Sequence, residues 1–224
     1  MGRDYLTKYP SMQTTMSVIF NKTIGLNRVK VRGKGNEISG LNRGFLNRTK
    51  IQIVGNNNRV TIQKMSYLHN CSFTIYGNNN EIVIGERVRA EKGDFYIEDS
   101  DNTILIGDST AICGYTHIAV TEGKKVIIGR DCLFSSDVII RTGDSHSIVD
   151  MNGVRINLAM DVIIGDHVWL GNRTTVLKGS SVPSNSIVGT GAVVTKSFET
   201  GNVILAGSPA KVVKENINWL KERI

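Results

Sequence analysis

Residues 164–199 read IGDHVW, LGNRTT, VLKGSS, VPSNSI, VGTGAV, VTKSFE, an unbroken run of six-residue units. Each unit is led by an aliphatic residue: Ile164, Leu170, Val176, Val182, Val188 and Val194. Four places on stand Val168, Thr174, Ser180, Ser186, Ala192 and Phe198, which are small or apolar. The fifth, sixth and next first positions thus alternate in, out, in, which is the pattern of a short strand with one buried side. Three such units close a triangular coil of 18 residues. Coils that repeat at constant length lay strand on strand, giving a parallel β-helix.

Upstream the same logic continues at a longer period. GNNN occurs at residues 55–58 and again at 77–80, with GKGN at 33–36 and DSDN at 99–102, all 22 residues apart. Ile38, Val60, Ile82, Ile104 and Val126 form one apolar column at this spacing, and Ile84-Gly85, Ile106-Gly107 and Ile128-Gly129 form another. Val31, Ile53, Ile75 and Ile97 form a third, and Val29, Ile51, Phe73 and Phe95 a fourth. A period of 22 is an 18-residue coil plus a four-residue corner. Gly and Asn tolerate the left-handed backbone that tight corners need, so the GNNN motif is expected to be structural.

These periods divide one domain spanning residues 1–224. A loose lead-in covers 1–16, and 22-residue coils occupy about 17–142. Residues 143–161, GDSHSIVDMNGVRINLAMD, break the rhythm: the Ile-Gly column resumes at Ile164-Gly165, 36 residues after Ile128-Gly129. A loop is therefore inserted there, with 18-residue coils over 162–205 beyond it. The tail, 206–224, holds Pro209 and is expected to end in a short helix, reaching about Arg223, that caps the open end of the solenoid.

Composition agrees with a slim aliphatic core: of 224 residues, 40% are hydrophobic and only 6% aromatic. No apolar stretch is long enough to span a membrane, and the first residues lack an apolar signal core, so a cytoplasmic location is expected. Cys71, Cys113 and Cys132 fit no metal spacing, and Cys132 falls at a buried filler position. The net charge is +7, concentrated in residues 1–54, where ten Lys/Arg face only Asp4 and Glu37. Arg28, Lys30 and Arg32 alternate with Val29 and Val31 and should line the outside of one strand. That face is read either as a solvated guard against edge pairing or as a docking surface for an anionic polymer or membrane headgroups. No aromatics interleave with the basic residues and no nucleic-acid module is present, so nucleic acid is not an expected partner.

On a solenoid, chemistry belongs to what departs from the repeat. The 143–161 loop carries His146, a residue suited to general-base work near neutral pH. Asp144 lies two places away, where it is able to orient the ring. Trp169 is a sixth-position residue, so its indole faces outward and needs a loop, a neighbouring chain or a ligand to cover it. His117, His146 and His167 are spaced 29 and 21 residues apart. That pattern does not match a three-histidine metal site, so no metal is expected. His69 reads as a corner or surface residue.

The unbroken sixes, IGDHVWLGNRTTVLKG and the tail VGTGAVVTKSFETGNVILAGSPAKVVK resemble the hexapeptide-repeat acyltransferases, with the strong match over about residues 126–215. The resemblance implies an all-β, left-handed parallel β-helix, although the general crossover rule favours the other hand. It also implies acetyl-CoA as donor, no metal, and a homotrimer. TGDSHSIVDMNGVRINLAMDVIIGDHVWLG most resembles O-acetyltransferases of bacterial capsule, sialic-acid-containing or O-antigen polysaccharides.

By that resemblance His146 is the catalytic base, which takes a proton from a sugar hydroxyl attacking the thioester directly; Asp144 is expected to assist it by its place two residues away. Trp169 would wall the donor and acceptor pocket. Gly171, Asn172, Thr190, Thr195, Lys196 and Lys211 would hold the cofactor, although Lys211 stands where relatives often carry Arg and loses the forked geometry. A backbone N–H near Trp169–Gly171 is expected to serve the oxyanion, and Arg155 and Asn157 to read a sugar acceptor. Three other readings stay open: an N-acetyltransferase for an amino-sugar nucleotide, an antibiotic acetyltransferase, and a non-enzymatic β-solenoid.

Overall fold

The computed structural model describes residues 10–224. The expected apolar columns pair there as parallel strands in three sheets, which form the faces of a triangular prism. The first face stacks eight strands, from Arg28–Arg32 to Val193–Val194. The second stacks seven, from Glu37–Ser39 to Ser181–Val182, and the third nine, from Phe45–Asn47 to Lys211–Lys214. The chain visits first, second and third face in turn, so each circuit is one coil. Only the final strand, Lys211–Lys214, runs antiparallel to its neighbour, Ile204–Ala206.

The inward columns build the core. Ile51, Phe73 and Phe95 stack on the first face, Val60, Ile82, Ile104 and Val126 on the second, and Leu46, Leu68, Ile112, Phe134 and Leu170 on the third; all are buried. Each such side chain contributes about 1.5–3 kcal/mol by leaving water. All six leaders of the C-terminal units are buried. The fifth positions are buried too, except Phe198, which is partly exposed and packs against the rim of the core.

GNNN is a corner. Gly55 and Gly77 adopt φ of 142° and 134°, and a Cβ on Gly55 would stand 1.7 Å from the carbonyl oxygen of Gly77 in the next coil. Asn57 and Asn79 follow in the left-handed region, each at φ 56°. The last Asn of each motif turns inward and makes a ladder. Asn58 Nδ2 donates to Asn36 Oδ1, Asn80 Nδ2 to Asn58 Oδ1, and Asn102 Nδ2 to Asn80 Oδ1, each at 3.0 Å. Every step also satisfies a backbone N–H, so these buried amides carry no desolvation debt.

The 22-residue period slips once. Asp94 pairs with His117 and Phe95 with Ile118, a step of 23 on the first face, while Thr103 still pairs with Lys125, a step of 22. One extra residue enters around Gly114-Tyr115 and is given back after Val120. A rigid 22-residue count would put His117 and Ala119 inside. The slip puts Ile118 and Val120 inside and turns His117 outward.

Two expectations at the ends are corrected. The coils do not start near residue 17: helix α1 covers Pro10–Ile19, a wider turn follows over Phe20–Ile24, and the first strand begins at Arg28. The lead-in is therefore helical from Pro10, and its first nine residues lie outside the described ones. The C-terminal helix is absent. Asn216 takes φ 56°, which a helix cannot accommodate, and residues 215–224 run irregularly along the edge between the second and third faces. There Trp219 is 5% exposed and stacks on His167 at 4.1 Å between ring centroids.

Candidate active site

The inserted loop replaces one corner between the first and second faces, between the strands Val138–Arg141 and Val162–Ile164. A corner-sized gap filled by about twenty residues must be tied down, and the coils on either side do this. From the preceding coil, Glu122 accepts from Arg155 Nη2 at 2.5 Å and from the Ala159 N–H at 3.1 Å. From the following coil, Lys178 Nζ donates to Asp144 Oδ2 at 2.6 Å and to the Asn157 carbonyl at 2.9 Å. Asn157, only 7% exposed, joins the two struts. Its amide nitrogen donates to Asp144 Oδ2 and to the carbonyl of His146, both at 2.8 Å. Its amide oxygen accepts from the Ile148 N–H at 2.8 Å and from Arg155 Nε at 3.2 Å.

These contacts reassign several expected roles. Asp144 does not orient the His146 ring; it is bonded to Lys178 and Asn157, and the Lys178 ammonium holds its carboxyl below the usual range. Arg155 and Asn157, expected to read a sugar, are bonded within the loop and to its flanking coils, and Arg155 also lines the cleft. The guanidinium of Arg155 likewise depresses the Glu122 carboxyl. The His146 backbone is therefore pinned while its side chain stands exposed, with no hydrogen bond or ion pair to any described residue. Neither strut partner carried a motif: Glu122 lies 33 residues before Arg155, and Lys178 lies 34 after Asp144. The legible signal was only their place in the corner column.

His146 borders an open cleft of about 560 Å³ on the first face, shared with Tyr96, His117, Ala119, Arg141 and Arg155. His117 reaches this cleft because of the register slip. Its Nδ1 lies 2.9 Å from Asp94 Oδ2, while Asp94 Oδ1 accepts from Ser72 Oγ at 2.6 Å. The hydrogen bond from His117 lowers the Asp94 pKa. Arg141 is a half-buried cation in the cleft with no side-chain partner among the described residues.

Trp169 faces outward as expected, but from the third face, at 37% exposure. It packs beside Trp219 of the tail, 6.1 Å between ring centroids. Trp219 donates its indole N–H to the His167 carbonyl at 2.9 Å. His167 pairs through Nδ1 with Asp131 at 2.9 Å. Asn172 and Thr190 are exposed on successive coils at the corner between third and first faces, where Asn172 Oδ1 caps the Ser136 N–H at 3.0 Å. Thr195 and Lys196 lie on the other edge of the first face, the edge that bears the loop, and Lys211 sits on the antiparallel strand. Thus His146, Asp144, Arg155 and Asn157 come together, while Trp169, Gly171, Asn172 and Thr190 gather across the first face from them. The Trp169 and Gly171 N–H groups already donate to Ser186 and Val188 at 2.9 and 2.8 Å, so neither is free to serve an oxyanion.

His69 lies on the strand Tyr67–His69 and stacks over Tyr67. Cys71 and Cys132 are buried, and burial pushes their thiols up to about 12 and about 11, so neither is a ready nucleophile.

Comparison with known proteins places this geometry. No family model matches the chain. A polysialic acid O-acetyltransferase of Neisseria meningitidis is 38% identical over 107 residues, 47% of this chain and 50% of that protein. One from Escherichia coli O1:K1 / APEC is 38% identical over 103 residues, 46% of this chain and 33% of that one. The aligned segment thus spans half or less of these curated relatives. The solved structure of the polysialic acid O-acetyltransferase OatWY matches over 88% of this chain and 92% of that chain, with 36% identity and a TM-score of 0.81. The chain belongs to the hexapeptide-repeat acyltransferases. Its solenoid is the all-β, left-handed parallel β-helix of that family. No helix among the described residues of this hexapeptide-repeat protein is long and apolar enough to cross a membrane.

Proposed function

We propose that this protein is an acetyl-CoA-dependent O-acetyltransferase acting on a hydroxyl of an acidic surface-polysaccharide sugar. The observation that carries the reading is His146: its backbone is held by Asn157, and its imidazole projects into an open cleft unencumbered by partners. A general base needs this combination of fixed position and free nitrogen. The 36% identity to OatWY over most of both chains supports the acceptor class.

In this mechanism His146 takes the proton of the sugar hydroxyl as its oxygen attacks the thioester carbonyl. The tetrahedral intermediate collapses with loss of the CoA thiolate, which then takes the proton from the imidazolium. No covalent enzyme intermediate forms. Asn172, Thr190, Thr195 and Lys196 line the two long edges of the first face and would hold the donor, with Lys211 near its phosphates. Trp169 and His146 lie on different faces of one chain. They meet in one pocket only when a second chain brings its third face alongside, which is why a homotrimer belongs to this proposal. The oxyanion donor is then a group other than the Trp169 or Gly171 N–H.

An acceptor panel tests the reading. Acetyl-CoA is supplied with acidic glycans, neutral glycans and amino-sugar nucleotides, and the acetylated atom is located by NMR. The expected product is an O-acetyl ester on an acidic glycan. Acetylation of an amine alone would replace the reading with an N-acetyltransferase.

A further inference from the structure

The outer side of the first face is continuous from the basic first coil to the His146 cleft, and the strand register shows what lies along it. One row runs Lys30, Gln52, Thr74, Tyr96, Ala119, Arg141. On its two sides the first two strands add Arg28 and Lys50, which are register partners, and Arg32. Arg28, Lys30, Arg32 and Lys50 are all exposed, and among the described residues none makes an ion pair or side-chain hydrogen bond. An uncompensated cluster of four cations on one flat sheet is unusual, since elsewhere on this solenoid cations such as Arg59, Lys64 and Arg87 face carboxylates on neighbouring residues or coils.

Past the cations the surface changes to flat polar and aromatic groups. Gln52 Nε2 donates to the Tyr76 hydroxyl at 2.8 Å, and Tyr76 meets Tyr96 edge to face at 6.2 Å. Tyr96 opens into the cleft, where Arg141 offers a further unpaired cation beside His146. The acids on this route are Asp94, bonded to His117, Glu98 at the edge of the row, and, lining the cleft, Asp99, Glu122 and Asp144. Asp99 accepts from the Thr121 hydroxyl, and Glu122 and Asp144 are paired with Arg155 and Lys178. Five inter-strand steps separate the Arg28–Arg32 strand from Val138–Arg141. At roughly 4.8 Å per step that is about 24 Å, far longer than one sugar.

We propose that this face is a track for an extended anionic polysaccharide. The chain is seated on Arg28, Lys30, Arg32 and Lys50, passes over Tyr76 and Tyr96, and presents a sugar hydroxyl to His146 with Arg141 reading the local carboxylate. The proposal rests on the acidic-acceptor reading above and adds where the polymer lies and why length matters. Cations without partners concentrate a polyanion without fixing its register, which suits a substrate with many equivalent sites.

The test uses the full-length protein, acetyl-CoA, and two probes: long polysialic acid chains and the sialic acid dimer. The variant Arg28→Ser/Lys30→Ser/Arg32→Ser removes the seat, and Arg59→Ser/Lys64→Ser on the second face and its following corner controls for the loss of surface cations elsewhere. Melting curves confirm that both variants fold. The track predicts that the triple variant raises KM for long chains by about tenfold or more at low salt. It also predicts that the dimer is turned over as by wild type, and that the salt dependence of the long-chain KM largely disappears. The control pair should change neither. Unchanged long-chain KM in the triple variant, with wild-type turnover intact, would overturn the track and leave the acetyltransferase reading standing. Absence of turnover by wild type on both probes would overturn the acceptor reading and the track with it.

Discussion

Asn157 carries more of the site than its residue type announces. One side-chain amide bonds Asp144, the His146 carbonyl, the Ile148 N–H and Arg155. Truncating it leaves several buried polar groups unpaired, at about 1–3 kcal/mol each for those that water cannot reach. Asn157→Ala is therefore expected to lower the melting temperature and to reduce turnover together, because His146 loses its backbone anchor. Arg155→Lys should do the same more mildly, since an ammonium cannot bond Glu122 and Asn157 from one planar fork. A variant with unchanged turnover would contradict the strut. At this scale the sequence was half legible. His146 and Trp169 stood out as departures from the repeat. The strut role of Arg155 and Asn157 was not legible, because their partners Glu122 and Lys178 come from other coils and only the fold brings them near.

At the scale of the element, corners and loop obey different physics. The GNNN corner was legible in full, because left-handed backbone selects Gly and Asn and the period repeats the selection. Gly77→Ala forces a Cβ to within 1.9 Å of the Asp99 carbonyl oxygen at φ 134°. Backbone strain alone should cost about 1–3 kcal/mol, and the overlap adds to it, which chemical denaturation would measure. The register slip at Gly114-Tyr115 left only a small trace, the break of the first-face columns after Phe95 and Ile97, where the apolar residues move on by one to Ile118 and Val120. The loop depends on charge instead. Asp144 and Glu122 have lowered pKa values in the folded protein, so each releases its proton more readily when folded. Their stabilisation is complete above the ordinary carboxylate range, about 4, and is lost as pH falls through the lower folded values. Hydrogen exchange across residues 143–161 is expected to rise below about pH 4, ahead of the neighbouring coils. Parallel loosening of loop and coils would contradict the two struts.

The whole molecule is a rigid prism whose sites are distributed over its faces and edges. Periodicity predicted this shape well, because a solenoid repeats its core at every coil. The tail escaped that reading: ENINWLKERI has helical content, yet the free energy lies in burying Trp219 between His167 and Trp169 and in pairing Lys221 with Asp131. Trp219→Ala should expose the Trp169 ring and red-shift its fluorescence with little change in the coils' circular dichroism. His146 and Trp169 lie on different faces, so on the proposed assembly, in which a second chain brings them together, activity should fall on dilution below the assembly's dissociation constant.

The measurement that bears most directly on the account is thiol release from acetyl-CoA with an acidic glycan, wild type against His146→Ala, alongside the shift in melting temperature caused by CoA. The account predicts release by wild type, a loss of roughly 10²–10⁴-fold in the variant, and the same CoA-induced stabilisation in both. A fall of less than about threefold in the variant, far under the general-base range, would contradict the assignment of His146. The lack of both release and stabilisation in wild type would contradict an acetyl-CoA-dependent enzyme altogether.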